Sequence, residues 1–236
     1  MLIISSDTEP IYAEHRKVWS SYMNSKKEIE CYFIQYRDGP QAIEGNTFWL
    51  NGKESFSTII TKTLDSLDFF LNKDSYDFIV RTNLSSVWNF NTLLKHLETL
   101  PREKVYNGFT GHFNNFQFAS GSGYIMTPDI CNLLLENREV VESYPELDDV
   151  SVGFTLNKLG IIPSWGRRND TLIYDESSYH YRFKNSDRSV EAANMIDEGH
   201  WYELTLKRPA DQYLLLFSAA DQWKPVDWNK KNIDEY

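Results

Sequence analysis

The chain has 236 residues, 41% of them hydrophobic, which is enough for one large domain or two small ones with a substantial core. Its net charge is −10, so the chain lacks the excess of Lys and Arg that is typical of proteins that bind a nucleic-acid backbone. Residues 1–4 are too few for the apolar core of a signal peptide, and no apolar run approaches the ~18 residues of a membrane span. We therefore expect a soluble, cytoplasmic protein.

The first half of the chain alternates between strand and helix patterns. A polar loop containing Ser5 and Asp7 follows the first apolar run. Strands are predicted at residues 2–4, 29–36, 76–81 and 105–110, and helices at 11–23, 56–71 and 89–100, the last one capped by Asn89. This alternation predicts an α/β fold with a parallel sheet covered on both faces, and such sheets bind ligands at the carboxyl ends of their strands.

The second half is less regular. A strand over residues 118–127 is expected to be broken by Gly121 and Gly123, Pro128 opens a short helix, and another helix spans residues 150–159. Weak helical patterns follow at residues 189–196 and 210–220. We predict one domain over residues 1–185, with a helical, aromatic C-terminal extension, residues 186–236, packed on it.

Two cysteines and two aspartates bear on location and chemistry. Cys31 and Cys131 lie far apart in apolar runs, which predicts buried free thiols and suits a reducing compartment.

Asp148 and Asp149 precede the helical pattern at residues 150–159, where the positive end of the helix dipole favours an ionised carboxylate. From the residues alone, the pair is either a helix cap or the seat of a general base.

Four segments occur in the order seen in inverting glycosyltransferases of the beta-1,3-galactosyltransferase and Fringe type. Residues 16–19 resemble the Arg-x-x-Trp of that family's first helix, and residues 53–83 resemble its long helix and central strand. Residues 118–124 resemble its Ser-Gly-x-Gly-Tyr strand, and residues 148–153 its acidic-Asp-Val-x-x-Gly helix. The resemblance covers roughly residues 1–185.

The resemblance implies a GT-A fold, which is Rossmann-like, with a mostly parallel central sheet flanked by helices. It further implies transfer of a sugar, with inversion, from a nucleotide-diphosphate sugar, most typically a UDP-sugar, to a hydroxyl of a glycan acceptor. Asp149 matches the family's Asp and is the expected general base, with Asp148 beside it. Ser5 and Asp7 are expected at the base and ribose of the donor. Gly121 and Gly123 either let the backbone approach the donor or form a bulge.

The chain departs from the family at the end of the central strand, where an Asp-x-Asp would hold a divalent metal. Residues 82–86 contain no carboxylate. Either Mn²⁺ or Mg²⁺ is held by Asn83, Ser85, His180 and the phosphates, or cationic side chains replace the metal. The candidate cations are Arg81, Arg167, Arg168 and Arg182, because guanidinium pairs with phosphate without a preformed cage. We prefer the second arrangement.

Two other functions remain open. Without the metal carboxylates, the fold could be a pseudoenzyme that binds a nucleotide sugar or a glycan and catalyses nothing. The tail, which contains Trp223 and Trp228, could instead form an interaction module. Relatives of this kind usually stand behind a membrane anchor, and the absence of an anchor here favours a bacterial or virus-like source that glycosylates in the cytoplasm.

Overall fold

A computed structural model describes residues 1–8, 10–143, 148–170 and 177–182. The strands are β1 Leu2–Ile4, β2 Tyr32–Arg37, β3 Ala42–Glu44, β4 Thr47–Asn51, β5 Ile79–Asn83, β6 Val87–Trp88, β7 Tyr106–Phe113, β8 Phe116–Met126, β9 Ser164–Trp165, β10 Arg168–Asn169 and β11 His180–Tyr181. The helices are α1 Pro10–Tyr22, α2 Ile59–Lys73, α3 Phe90–Thr99, α4 Pro128–Glu136, α5 Arg138–Val141 and α6 Asp148–Lys158, with a 3-10 turn, Phe56–Thr58, before α2. No helix in these ranges combines the length and apolar character that crossing a membrane requires.

The chain divides into two compact units. The first unit comprises Met1–Ser6, Cys31–Asn83 and Thr99–Gly166. The second comprises the described parts of Asp7–Glu30, Leu84–Glu98 and Arg167–Tyr236. The predicted extension, residues 186–236, and the helices predicted at 189–196 and 210–220 lie outside the described residues.

The first unit is an α/β structure built on an eight-stranded sheet in the order β3-β4-β2-β1-β5-β8-β7-β9. Strands β1, β2, β4 and β5 are parallel, whereas β8 is antiparallel to β5 and β7, and β3 is antiparallel to β4. The sheet is therefore mixed, with parallel central strands, as predicted, and antiparallel pairs formed by β3 and β8. The reason is local, because short turns connect β3 to β4 and β7 to β8, and such turns can only join antiparallel strands.

Helix α2 forms much of the core of this unit. Its buried apolar residues recur at helical spacing and pack against β1 and β2; they are Ile60, Leu64, Leu67 and Phe70. The ring of Phe70 meets Phe48 edge to face at 5.2 Å between centroids. Helices α4 and α6 contact α2, and α6 also contacts β8. Cys31 and Cys131 are buried free thiols, as predicted.

The strand predicted at residues 118–127 is not broken in the structure, but its register with β7 shifts between the Gly108–Tyr124 and Thr110–Ala119 pairs, as the bulge alternative predicts. Gly121 and Gly123 stay extended within β8, and Gly123 pairs with Thr82 of β5. A Cβ at Gly121 would lie 3.2 Å from both Arg81 Nη1 and Asp149 Oδ2. Glycine suits this position because side chains from neighbouring elements approach its backbone, at the point where the pairing with β7 is irregular.

Helix α6 lies close against β8 through another glycine. A Cβ at Gly153 would lie 2.8 Å from Phe118 Cα and 3.1 Å from the Gln117 carbonyl oxygen. The Asn157 amide donates to the same Gln117 oxygen at 2.7 Å. This contact fixes the helix along the strand and brings its first residues, Asp148 and Asp149, to Gly121.

The second unit has a separate core of aromatic residues and a three-stranded sheet in the order β10-β11-β6. Trp19 stacks on Tyr22 at 5.1 Å, and its Nε1 donates to the Leu84 carbonyl oxygen at 3.1 Å. Asn89 Oδ1 accepts from the Thr92 N–H at 3.2 Å, which confirms the predicted cap of α3.

Candidate functional site

The candidate site lies where β1 and β5 end in the first unit. Ile4 pairs with Asn83, so the carboxyl ends of these parallel strands are adjacent, and Ser5 follows directly. Gly123 lies opposite Thr82 on the antiparallel strand β8, and Gly121, two residues earlier in the chain, lies further towards the same edge. Ligands of open α/β sheets bind at this edge.

Asp149 is held at this edge by two backbone groups. Its Oδ2 accepts the Gly121 N–H at 2.6 Å, and its Oδ1 accepts the Val150 N–H of the same helix at 2.9 Å. Burial raises the pKa of Asp149, and the charge of Asp148 raises it further, against the lowering by the Gly121 N–H and Arg81. The net shift is upward, which brings the carboxylate closer to the proton affinity of a general base working near neutral pH.

Asp148 has a different partner. Its Oδ2 lies 2.5 Å from Arg81 Nη2, and the Arg81 side chain is only 1% exposed. Arg81 Nη1 donates to Asn83 Oδ1 at 3.0 Å and also to the Gly121 carbonyl oxygen. Burial is the largest effect and lowers the pKa of Arg81, but the surrounding acidic groups, Asp148 foremost, together outweigh it; the net shift is upward, so the guanidinium stays ionised.

Two tyrosines lie beneath the guanidinium. The centre of the Arg81 guanidinium is 5.7 Å from the Tyr124 ring, which meets the Tyr106 ring edge to face at 5.8 Å. Tyr106 Oη accepts the Ala119 N–H at 2.8 Å. Burial raises the pKa of both phenols, so neither contributes charge near neutral pH.

The structure thus brings together, by direct contact, five of the predicted residues: Asp148, Asp149, Arg81, Asn83 and Gly121. The role predicted for Arg81 at the donor diphosphate does not fit its position, because the side chain is buried and Asp148 neutralises it. Asn83 directs its side-chain oxygen to Arg81. Ser5 is buried, and its Oγ has no hydrogen-bond partner among the described residues.

The remaining predicted residues belong to the second unit. Asp7 and Arg167 are exposed, and Ser85 and Arg182 are half-buried. Arg168 binds Asp170 through two hydrogen bonds, from Nε at 2.6 Å and from Nη2 at 2.7 Å. Of the three predicted arginines in this unit, Arg167 is thus the one that the structure shows with an exposed side chain.

His180, the predicted metal ligand, is buried in the second unit. Its Nε2 lies 3.0 Å from Ser86 Oγ, and its ring stacks on Trp88 at 4.3 Å. Burial lowers the pKa of His180, as do the charges of Arg168 and Arg182, so the ring is neutral. Across the described ranges, no three His, Cys, Asp or Glu side chains come together as ligands for a metal ion.

Sequence reasoning missed one polar cluster at the edge that holds Ser5. Lys62 of α2 is 1% exposed, and its Nζ donates to the Ser5 carbonyl oxygen at 2.8 Å and to Glu54 Oε2 at 2.5 Å. Glu54 Oε1 accepts the Tyr36 N–H at 2.8 Å. The available signal was a lysine among the buried positions of an amphipathic helix.

The fold and this edge define an α/β protein with a helix-borne pair of aspartates beside the ends of its central parallel strands. No protein-family model matches the chain, and no curated protein matches it in sequence.

Proposed function

We propose that the chain is an inverting glycosyltransferase of the GT-A type, which transfers a sugar from a nucleotide-diphosphate sugar, most typically a UDP-sugar, to a glycan hydroxyl. One observation carries the proposal. Asp149 is fixed by the Gly121 N–H at the carboxyl edge of the sheet, while the adjacent Asp148 is neutralised by Arg81. The resemblance to the beta-1,3-galactosyltransferase and Fringe family adds the reaction class.

The chemistry follows from the position of Asp149. The acceptor oxygen attacks the anomeric carbon, the bond from that carbon to the diphosphate oxygen breaks, and Asp149 takes the proton of the acceptor hydroxyl. A base must lie within ~3 Å of that hydroxyl. Each carboxylate oxygen has two lone pairs and accepts one backbone N–H here, so a further acceptor position is left on each.

The departing diphosphate requires positive charge as the bond breaks. We infer that cationic side chains supply this charge, in preference to Mn²⁺ or Mg²⁺. Two of the atoms predicted to bind a metal already have other partners, which favours this choice: Asn83 Oδ1 accepts from Arg81, and His180 Nε2 is hydrogen-bonded to Ser86 Oγ. Neutral oxygens also bind a hard dication more weakly than carboxylates do.

A comparison of two variants tests the proposal. Transfer and hydrolysis are measured with a panel of uridine and guanosine diphosphate sugars, with and without manganese. Asp149→Asn should lower the transfer rate by about 100- to 10,000-fold, because the base is lost, and leave donor affinity by calorimetry unchanged. Asp129→Asn is the matched control, since Asp129 lies in the first turn of α4, after the opposite end of β8.

Two results would count against the proposal. Full transfer activity in Asp149→Asn would show that Asp149 is not the general base and would contradict the proposed mechanism. No turnover from any donor, combined with tight binding of a nucleotide sugar or a glycan, would favour the alternative of a catalytically inactive binding protein.

A further inference from the structure

We propose that Arg81 is the positioning residue of the acidic pair: it holds Asp148 and the Gly121 carbonyl together, so that Asp149, and not Asp148, receives the acceptor proton. This inference rests on the proposed function, because it assigns the division of labour between two carboxylates at the same site.

The first step is the reach of Arg81 across three elements. It lies in β5, pairs in register with Tyr124 of β8, and binds Asp148 of α6. Its Nη1 also donates to the Gly121 carbonyl oxygen. The guanidinium is planar and presents several donors in a fixed fork, so a single side chain sets the relative positions of the strand and the helix.

The second step is the role of Gly121. Its N–H donates to Asp149, and its carbonyl oxygen accepts from Arg81. The backbone of one residue therefore orients both the cation and the base. A displacement of Arg81 would reach Asp149 through Gly121 as well as through Asp148.

The third step is electrostatic. Among the described residues, the titratable groups that act on Asp149 are Asp148 on its own helix, Arg81 of β5, Tyr124 of β8 and Tyr106 of β7. The two phenols are kept neutral by burial. Removal of the Arg81 charge would leave two adjacent carboxylates, and such a pair shares one proton up to a higher pH.

The test is a ¹³C NMR titration of the aspartate carboxyl groups, with Asp149 assigned by the loss of its signal in Asp149→Asn. In Arg81→Met the titration midpoint of Asp149 should rise by about one pH unit or more, because an opposite charge lowers a carboxyl pKa by about 1–3. In Arg81→Met/Asp148→Asn both charges are gone, and the midpoint should return towards that of the wild type. A lower melting temperature with an unmoved midpoint would make Arg81 merely structural and overturn the proposal.

A further variant keeps the proposal testable if Arg81→Met does not fold. Asp148→Asn retains Arg81 and removes the neighbouring negative charge, so the midpoint of Asp149 should fall; an unchanged midpoint would overturn the proposal. The titration needs no turnover. If the wild type transfers no sugar but the variants show these shifts, the proposed function is contradicted and the positioning role of Arg81 stands. If the wild type transfers sugar but the variants show no shifts, the proposed function stands and the positioning role is contradicted.

Discussion

At the scale of single residues, Lys62 is the most buried cation that sequence reasoning did not place. Its Nζ is held by the Ser5 carbonyl oxygen and by Glu54, whose side chain is 12% exposed. Lys62→Met would leave the Glu54 carboxylate without its cation. We expect the free energy of unfolding, measured by urea denaturation at pH 7, to fall by about 3–5 kcal/mol, as for other buried pairs that lose one partner.

Two further variants test the cause of that loss. Lys62→Met/Glu54→Gln removes both charges and should recover most of the stability, because no uncompensated carboxylate remains. Arg37→Met breaks the exposed pair with Glu44 and should have a much smaller effect. A double variant as unstable as the single one would show that lost packing, and not charge, is responsible.

The residue types of the candidate site could be predicted, but not their partners. Asp148 and Asp149 stand out because acidic residues at a helix start form a pattern within a few positions. Arg81 is 67 residues from Asp148, and their pairing depends on the packing of α6 on β8. For that reason the sequence predicts that Arg81 binds the donor diphosphate, whereas in the structure Arg81 binds the carboxylate of Asp148.

At the scale of elements, the contact of α6 with β8 through Gly153 positions the acidic pair. In Gly153→Ala the new Cβ would meet backbone atoms of Phe118 and Gln117, so the helix must move. We expect a loss of about 1–3 kcal/mol in the free energy of unfolding, typical of overpacking, despite a gain in helix propensity of about 1 kcal/mol. Hydrogen exchange at the Gly121 amide should also accelerate, because its acceptor, Asp149, moves with the helix.

The matched control is Asn132→Ala, at an exposed position inside α4. It raises helix propensity without adding a contact, so stability should be unchanged or slightly higher. If Gly153→Ala were as stable as this control and the Gly121 amide stayed protected, close packing would not be what holds Asp149 in place.

Helices and strands were predicted correctly where a hydrophobic periodicity extends over many residues. They were missed or misjudged where pairing with neighbouring strands determines the structure. The patterns behind α2 and α3 span several turns and were found, as was β1. The hairpin of β3 and β4 was missed, because Ala42–Glu44 and Thr47–Asn51 are too short for an alternation to stand out. At Gly121 and Gly123 the strand runs on without a break, but its register with β7 shifts there, and only the position of the partner strands decides between these outcomes.

At the scale of the whole molecule, the alternation of strands and helices predicted the α/β class but not the division into two units. That division depends on which distant segments pack together. The second unit, for example, combines Trp19, Leu84 and His180, which lie on three separate stretches of the chain. Local patterns identify each stretch as strand, loop or helix and carry no information on which stretches share a core.

The second unit also contains two buried histidines that should make the molecule sensitive to acid. Burial lowers the pKa of His15 from 6.5 to about 3, and burial with two arginines lowers that of His180 well below 6.5. In the unfolded chain both protonate near pH 6.5. Stability is therefore fully present above pH 6.5 and is lost as pH falls below it, by about 1.4 kcal/mol per pH unit for each histidine.

Asp149 acts in the opposite direction. Its pKa is raised above 3.8 in the folded state, so its contribution to stability is lost as pH rises through that raised value. The effect of the histidines is separated from that of Asp149 by comparing the wild type with a histidine variant that keeps Asp149. The free energy of unfolding is measured from pH 7 to 5 in the wild type and in His15→Gln, and the average slope against pH over this range should be smaller in the variant by about 1 kcal/mol per pH unit.

Hydrogen exchange as a function of pH locates the same effect in the chain. Amides of the second unit, in α1 and α3, should lose protection as pH falls from 7 to 5, and His15→Gln should reduce that loss. If the slopes of wild type and variant were equal, His15 would bind its proton equally well in the folded and unfolded states. Acid sensitivity of the molecule would then have to arise from other groups.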